Sequence, residues 1–349
     1  FFSFGQKKTK VEIKHTDVMK GDREIRRLQG NVVFKHDDAY MYCDSAISYA
    51  KDNRFEAYGH VRIVNKEVTV YGDTLSYSSS SSMASLRGDI RMIHEKMTLT
   101  THFLDYDLKK NMGFYRNGGK IVDATNILQS QIGCYYVNDR KLFFNNDVEL
   151  KNSIYVMQTD TLKYKTTTNV AYFVGPTTVV SNKDEIYTRN GWYNTNTDLA
   201  QLYQDSYLHS GAKYVYGDDM FYDRNKDEGI IRKNAVIKDT VEKLTLSSQY
   251  ALYEGKKQAA FLTKKVLVVK EFDGDSLFLH ADSILFNQYT IAPLDSTRSD
   301  SITYEVIKAF HKVRFYKSDV QGVCDSLVYH ALDSMIYLCT EPIVWSEEN

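Results

Sequence analysis

The chain has 349 residues, room for one long domain or two ordinary ones, and its 44 basic and 45 acidic side chains are spread evenly along it. No cationic stripe exists to hold a nucleic acid, so that class of partner is excluded. Aromatic residues reach 13%, with 27 Tyr and 17 Phe against only 3 Pro, a composition that favours strands and an all-β chain.

The first readable element is "GNVVFKHDDAYMYCDSAISY", residues 30–49, closed by Tyr49. In "EAYGHVRIV" (56–64) the strand period of two puts Val61 and Ile63 on one face. "YGDTLSY" (71–77) sets Leu75 and Tyr77 opposite Thr74 and Ser76. After five serines, "ASLRGDIRMI" (84–93) sets Leu86, Ile90 and Met92 opposite Arg87, Asp89 and Arg91. The same grammar of Asp, polar, aliphatic, any residue, aromatic returns downstream as "DTLKY" (160–164), "DDMFY" (218–222), "DSILF" (282–286) and "DSLVY" (325–329). "AYFVGPTTVV" (171–180), "AFLTKKVLVV" (260–269) and "AFHKVRFY" (309–316) supply the alternating partners.

The closing aromatics Tyr49, Tyr77, Tyr106, Tyr136, Tyr164, Tyr193, Tyr222, Tyr253, Phe286 and Tyr329 recur about every 29 residues, so about ten repeats tile the chain. A second landmark keeps phase with them: Ala84, Gly113, Ala171, Ala200, Gly229 and Ala260 each follow an aromatic by seven positions. Between the two lie polar hexapeptides such as "DLKKNM", "NTNTDL" and "DRNKDE", which are turn chemistry. Ser78 to Ser82 fill that slot and are read as a turn, not a linker. Phase breaks once, between Phe286 and Ala309, where an insertion centred on 288–301 is expected to be a surface loop. Paired strands with one apolar face, stacked repeat upon repeat, predict one continuous apolar interior over 1–349, or two fused modules of about 1–180 and 181–349.

Asp44, Asp73, Asp160, Asp218, Asp282 and Asp325 recur at one phase, which suits hydrogen-bonding at a corner better than paired-acid catalysis. The 9 His, among them His36, His60, His94, His102 and His311, sit at unrelated phases, and no nucleophile elbow or phosphate loop is present. No catalytic residue, metal ligand or cofactor is therefore assigned. Cys43, Cys134, Cys324 and Cys339 follow no metal-ligand spacing; Cys324 and Cys339 are either a pair in an oxidising compartment or free thiols.

Residues 30–101, with Gly30, Val32, Phe34 and Asp44, then Gly59, Val61, Ile63, Tyr71 and Asp73, then Gly88, Ile90 and Met92, resemble the LptA/OstA-type periplasmic bridge proteins of lipopolysaccharide transport. The resemblance implies an elongated open β-jelly roll and a non-enzymatic carrier that shields acyl chains in an apolar groove. Together with the alternation it nominates Val61, Ile63, Leu75, Tyr77, Leu86, Ile90, Met92, Phe173, Val179, Ile231, Val266, Val268, Val313 and Phe315 as the lipid-binding interior. The implied partners are lipopolysaccharide and other Lpt-type jelly rolls docked by edge-strand addition, with head-to-tail homo-oligomers a further expectation. The implied location is the periplasm, bridging to the outer membrane, with an export signal removed ahead of Phe1. Two rivals stand beside this reading: a β-solenoid enzyme acting on polysaccharide, and a structural or adhesive surface repeat protein with a closed interior.

Overall fold

The structure, a computed structural model, describes residues 11–36, 38–64, 68–78, 80–107, 109–181, 184–291 and 302–346. The chain divides into two compact units, Phe1–Thr168 and Asn169–Asn349. In the first unit the strands are β1 (Glu12–His15), β2 (Val18–Gly21), β3 (Ile25–His36), β4 (Ala39–Tyr49), β5 (Arg54–Val64), β6 (Val68–Ser78), β7 (Met83–His94), β8 (Met97–Asp107), β9 (Met112–Val122), β10 (Ile127–Tyr136), β11 (Lys141–Lys151) and β12 (Tyr155–Lys165). In the second they are β13 (Val170–Ser181), β14 (Asp184–Asn194), β15 (Leu199–Ser210), β16 (Lys213–Asp223), β17 (Glu228–Ile231), β18 (Ala235–Asp239), β19 (Leu244–Ser248), β20 (Tyr250–Glu254), β21 (Ala259–Phe272), β22 (Asp275–Ile291), β23 (Ile302–Lys317), β24 (Val320–His330), β25 (Met335–Cys339) and β26 (Ile343–Ser346). Among the described residues, the one helical piece is a 3₁₀ turn at Gly255–Lys257.

Within each unit, sequential strands pair antiparallel, and nearly every long pairing shifts register near mid-strand. Those shifts are β-bulges, which bend a strand and sharpen its twist. Because they align from strand to strand, they act as a fold line that divides each sheet into two halves. Phe34 beyond the line in β3 stacks on Phe55 before the line in β5, with ring centroids 4.8 Å apart, so the halves close on each other as a β-jelly roll. Several repeats are cut in two at the line: β16 pairs with β17 before it and β18 beyond it, and β24 likewise with β25 and β26.

Left-handed backbone makes these bends. Gly30, Gly59 and Gly88 have φ of 79°, 74° and 102°, a region that costs an L side chain energy. A Cβ at these glycines would lie 2.3, 2.3 and 2.0 Å from the carboxylates of Asp17, Asp44 and Asp73, so the close approach also demands glycine. The core of the first unit runs from Leu28 to Tyr115, and that of the second from Ile231 to Leu327. Each fully buried aliphatic side chain contributes about 1.5–3 kcal/mol by leaving water.

The aromatic and small landmarks are lateral partners. Tyr77 lies opposite Ala84, Tyr106 opposite Gly113, Tyr193 opposite Ala200 and Tyr222 opposite Gly229. The rings also order the turns: Tyr106, Tyr193 and Tyr222 donate their O–H to Asn111, Asp198 and Asp227, which hold left-handed backbone at φ of 51°, 55° and 58°. The serine run sits in the same turn, since Ser78 of β6 lies opposite Met83 of β7 and Ser82 takes the left-handed position at φ of 55°. At the insertion the structure corrects the expected loop. β22 and β23 continue as a two-stranded arm through Ile291↔Ile302, and Tyr289 stacks on Tyr304 at 5.7 Å; residues 292–301 lie outside the described ones.

Candidate functional site

The nominated side chains all lie on the inner face or at its margin. Val61, Val266 and Val313 are 0% exposed, and Leu75, Tyr77, Leu86, Ile90, Phe173, Ile231 and Val268 are buried with them. Ile63 and Met92 in the first unit and Phe315 in the second are half-buried and pack on the core; Val179 is half-buried too. Two groups separate on that basis. The fully buried residues are sealed by their neighbours in the core, Val61, Ile90, Val266 and Val313 at the fold line itself, whereas the half-buried ones leave surface that a ligand chain can cover.

Register places these positions in rows that cross the strands. Along the fold line, Val32 lies opposite Cys43, Val61 opposite Gly72, Ile90 opposite Thr101, Val148 opposite Thr159, Thr177 opposite Thr188 and Val313 opposite Cys324. Small or β-branched side chains fill this row, as the close approach of the two halves requires. In the second unit part of the row is hydroxylic: Ser206 Oγ donates to Thr188 Oγ1 at 2.9 Å, and Thr188 donates to the Asn190 carbonyl at 2.7 Å. Buried hydroxyls are tolerated there because each has a partner. One step further from the line, Ile63 pairs with Val70, Val70 with Met92 and Met92 with Leu99, a wholly apolar row.

The recurring carboxylates stand on the opposite, solvent side of the fold line. Asp44 Oδ2 meets His60 Nδ1 at 2.7 Å, Asp73 accepts the Asp89 N–H at 3.2 Å, and Asp218 accepts Asn234 Nδ2 at 2.6 Å. Lys312 approaches Asp282 at 3.8 Å and His311 approaches Asp325 at 3.4 Å. Four of these five touch a bulge residue of a neighbouring strand, and Asp218 touches Asn234 in the link between β17 and β18, as corner hydrogen-bonders do. Asp160 differs: its carboxylate takes the Thr161 hydroxyl at 3.1 Å. The hydrogen bond to the Asp44 carboxylate holds the His60 imidazole above its usual pKa, and the Ser326 hydroxyl, with His311, holds Asp325 below the usual carboxylate range. These pairs are exposed and lie across the backbone from the inner face.

Among the described residues no helix is long and apolar enough to cross a membrane, and no three His, Cys, Asp or Glu side chains converge as a metal site. Cys324 is buried and Cys339 exposed, and both are free thiols. The periodicity missed the small residue at the fold line and the upstream corner Asp17, which accepts Asn31 Nδ2 at 2.9 Å. The signal was present: Cys43, Gly72, Thr159, Gly217, Ala281 and Cys324 each directly precede a repeat Asp.

Two strand edges carry uncovered apolar side chains. β26 pairs only with β24 among the described residues, and Ile343, Val344 and Trp345 on it are exposed in succession. Among the described residues β2 pairs only with β3, and it exposes Val18 and Met19.

A family model described as "OstA-like protein" matches residues 8–160 and 150–215, more than half of the chain. Among solved structures the chain is similar to LptH, the LptA-homologous periplasmic component of the conserved lipopolysaccharide transport device from Pseudomonas aeruginosa. The identity is 10% and the TM-score 0.18, over 36% of this chain and 75% of that one. No curated protein sequence matches the chain.

Proposed function

Since the chain belongs to the family of OstA-like proteins, we propose that it is a periplasmic carrier of lipopolysaccharide, part of a bridge towards the outer membrane, that shields acyl chains along its inner faces. The observation that carries this reading is the apolar row beside the fold line, where Ile63, Val70 and Met92 pack on the core yet keep surface of their own. Each methylene moved from water onto such a lining gains about 0.8 kcal/mol, so a multi-acyl lipid has strong cause to lie there. The two compact units are two modules of one carrier. The role needs no chemical step, and no catalytic residue is assigned to it. Ile63, Met92, Val179 and Phe315 take the lipid directly, while the sealed residues, Val61, Val266 and Val313 among them, hold the lining in shape. The outer edges of β2 at Val18 and Met19 and of β26 at Ile343 to Trp345, each with one strand partner among the described residues, suit strand addition by another jelly roll or a second copy, joined head to tail.

Photo-reactive residues at Met92 and at Arg91, one position apart on opposite faces of β7, test the reading with purified lipopolysaccharide and a soluble polysaccharide as control. Capture at Met92 with none at Arg91 is expected. Equal capture at the two positions, or capture of the polysaccharide instead, overturns it.

A further inference from the structure

The wall of the first unit has its widest break in strand pairing between β8 and β9. The ladder holds at Thr101↔Gly119 and again at Asp105↔Phe114. Between these, His102, Phe103 and Leu104 on one strand and Tyr115, Arg116, Asn117 and Gly118 on the other are skipped by the ladder. At β5–β6, by comparison, the register shift skips only Gly59 and His60 on one strand and Gly72 opposite Val61 resumes the ladder after Asp73. Thr101 partly bridges the gap, its hydroxyl donating to the Gly118 carbonyl at 2.7 Å.

From the inside, Tyr115 covers the break. It is 3% exposed, and its ring lies where side chains are missing: a Cβ at Gly119 would stand 2.5 Å from the ring, and one at Gly133 2.3 Å. Its phenol oxygen and Ser130 Oγ share one hydrogen bond of 2.6 Å. On the outside lies a cleft of about 980 Å³ whose lining includes Thr101, Gly118, Gly119 and Ser130. The floor of the outer cleft and the seat of the inner ring thus share Gly119 and Ser130. At the fold line Gly119 of β9 lies between Thr101 of β8 and Ser130 of β10, so three small residues follow one another there, flanked by Ile90 on β7 and Val148 on β11.

We propose that this break is a side opening into the apolar interior and that Tyr115 is its plug: when the ring swings off Gly119 and Gly133, an acyl chain passes between the outer cleft and the inner face. The inference rests on the carrier reading and adds the route by which the chain enters. Little holds the plug in place beyond packing, since among the described residues one hydroxyl pair is the side chain's sole polar tie, and a hydrogen bond of that kind contributes modestly.

The test follows the initial rate at which a fatty acid bearing a terminal diazirine is captured on illumination by the full chain. Four proteins are compared: the unaltered chain, Tyr115→Phe, Tyr115→Ala, and a Thr100→Cys/Lys120→Cys staple that joins β8 to β9 at directly paired outer positions. Several-fold faster capture is expected for Tyr115→Phe and more for Tyr115→Ala. The oxidised staple is expected to slow capture several-fold and to recover on reduction, a result that does not depend on Tyr115→Ala folding. Rates indifferent to both the staple and Tyr115→Phe, in an unaltered chain that does capture the acyl probe, overturn the opening and leave the carrier reading standing. No capture by the unaltered chain overturns both.

Discussion

On the outer face of the first unit tyrosines lie against cations; on that of the second they lie against one another. The Arg62 guanidinium stands 4.4 Å from the Tyr42 ring and that of Arg91 4.9 Å from Tyr71. In the second unit Tyr187 stacks on Tyr207 at 5.5 Å, Tyr207 meets Tyr216 at 5.9 Å, and His209 stacks on Tyr214 at 4.1 Å. Both rows lie beyond the fold line and pair strand to strand in the same manner. The inner faces, by contrast, obey one rule in both units, because burial removes the choice. This fold constrains one side of each strand and leaves the other to be solved locally, by cation–π contact or by aromatic stacking.

The largest effect should ignore the difference between the units. Val61→Asp in the first and Val266→Asp in the second each place an unpaired charge at a position with no exposure, and each should cost about 4 kcal/mol or more. Denaturant midpoints falling together support a shared inner rule; a tolerated Asp at either site breaks it.

On the outer faces the units should part. Tyr207→Ala loses two ring contacts and should destabilise by about 2 kcal/mol, with little response to salt. Tyr71→Ala, which loses a cation–π contact, should cost about 1 kcal/mol or less, and its cost should shrink in high salt. Identical costs and salt responses in urea melts would remove the distinction.

A smaller effect is pH-dependent. Tyr207 donates its O–H to Glu185, and the hydrogen bond to that carboxylate pushes the phenol up to about 12. A phenol raised in the folded state favours folding while it stays protonated. The contribution is whole below the ordinary value of 10 and is lost as pH rises through about 12. Glu185→Gln should return the phenol towards its ordinary value in an ultraviolet titration; a Tyr207 titration unmoved by the substitution would remove this contribution.

The smallest effect concerns the serine turn. Its siblings place Asn111, Asp198 and Asp227 at the left-handed position that Ser82 holds. Asn tolerates that backbone better, so Ser82→Asn should stabilise the first unit by a few tenths of a kcal/mol, read as a small rise in midpoint. A loss of stability would show that the turn does not share the geometry of its siblings.

Much of this was legible in the sequence because the strand period and the turn are local. Leu75, Leu86 and Ile90 were placed inward by alternation, and Ser78 to Ser82 were placed in a turn by phase. Alternation fails on the outer side of the second unit. Trp192, Phe221, Ile230, Leu252 and Phe261 are half-buried in a row there, interrupted by the buried Gln201 between the first two, on the face where the first unit carries Arg27, Ile47, Glu56 and Ser76. A strand that is apolar on both sides gives no parity to read. The arm at β22–β23 was misread for a related reason, since Tyr289, Thr290 and Ile291 lie outside the repeat and their pairing is set by partners on the other strand.

The all-β class, the repeat length, the inward set and the corner role of five of the six recurring carboxylates are readable from the chain alone, because each follows from spacing along one strand or between a strand and its turn. Only the tertiary structure decided which inward residues are sealed and which keep surface, and that Tyr115 fills the space left by Gly119 and Gly133. Those outcomes depend on which residues meet across the fold line and between neighbouring strands. Close packing sets that meeting through volumes contributed by residues distant in the chain, so no single strand contains the information.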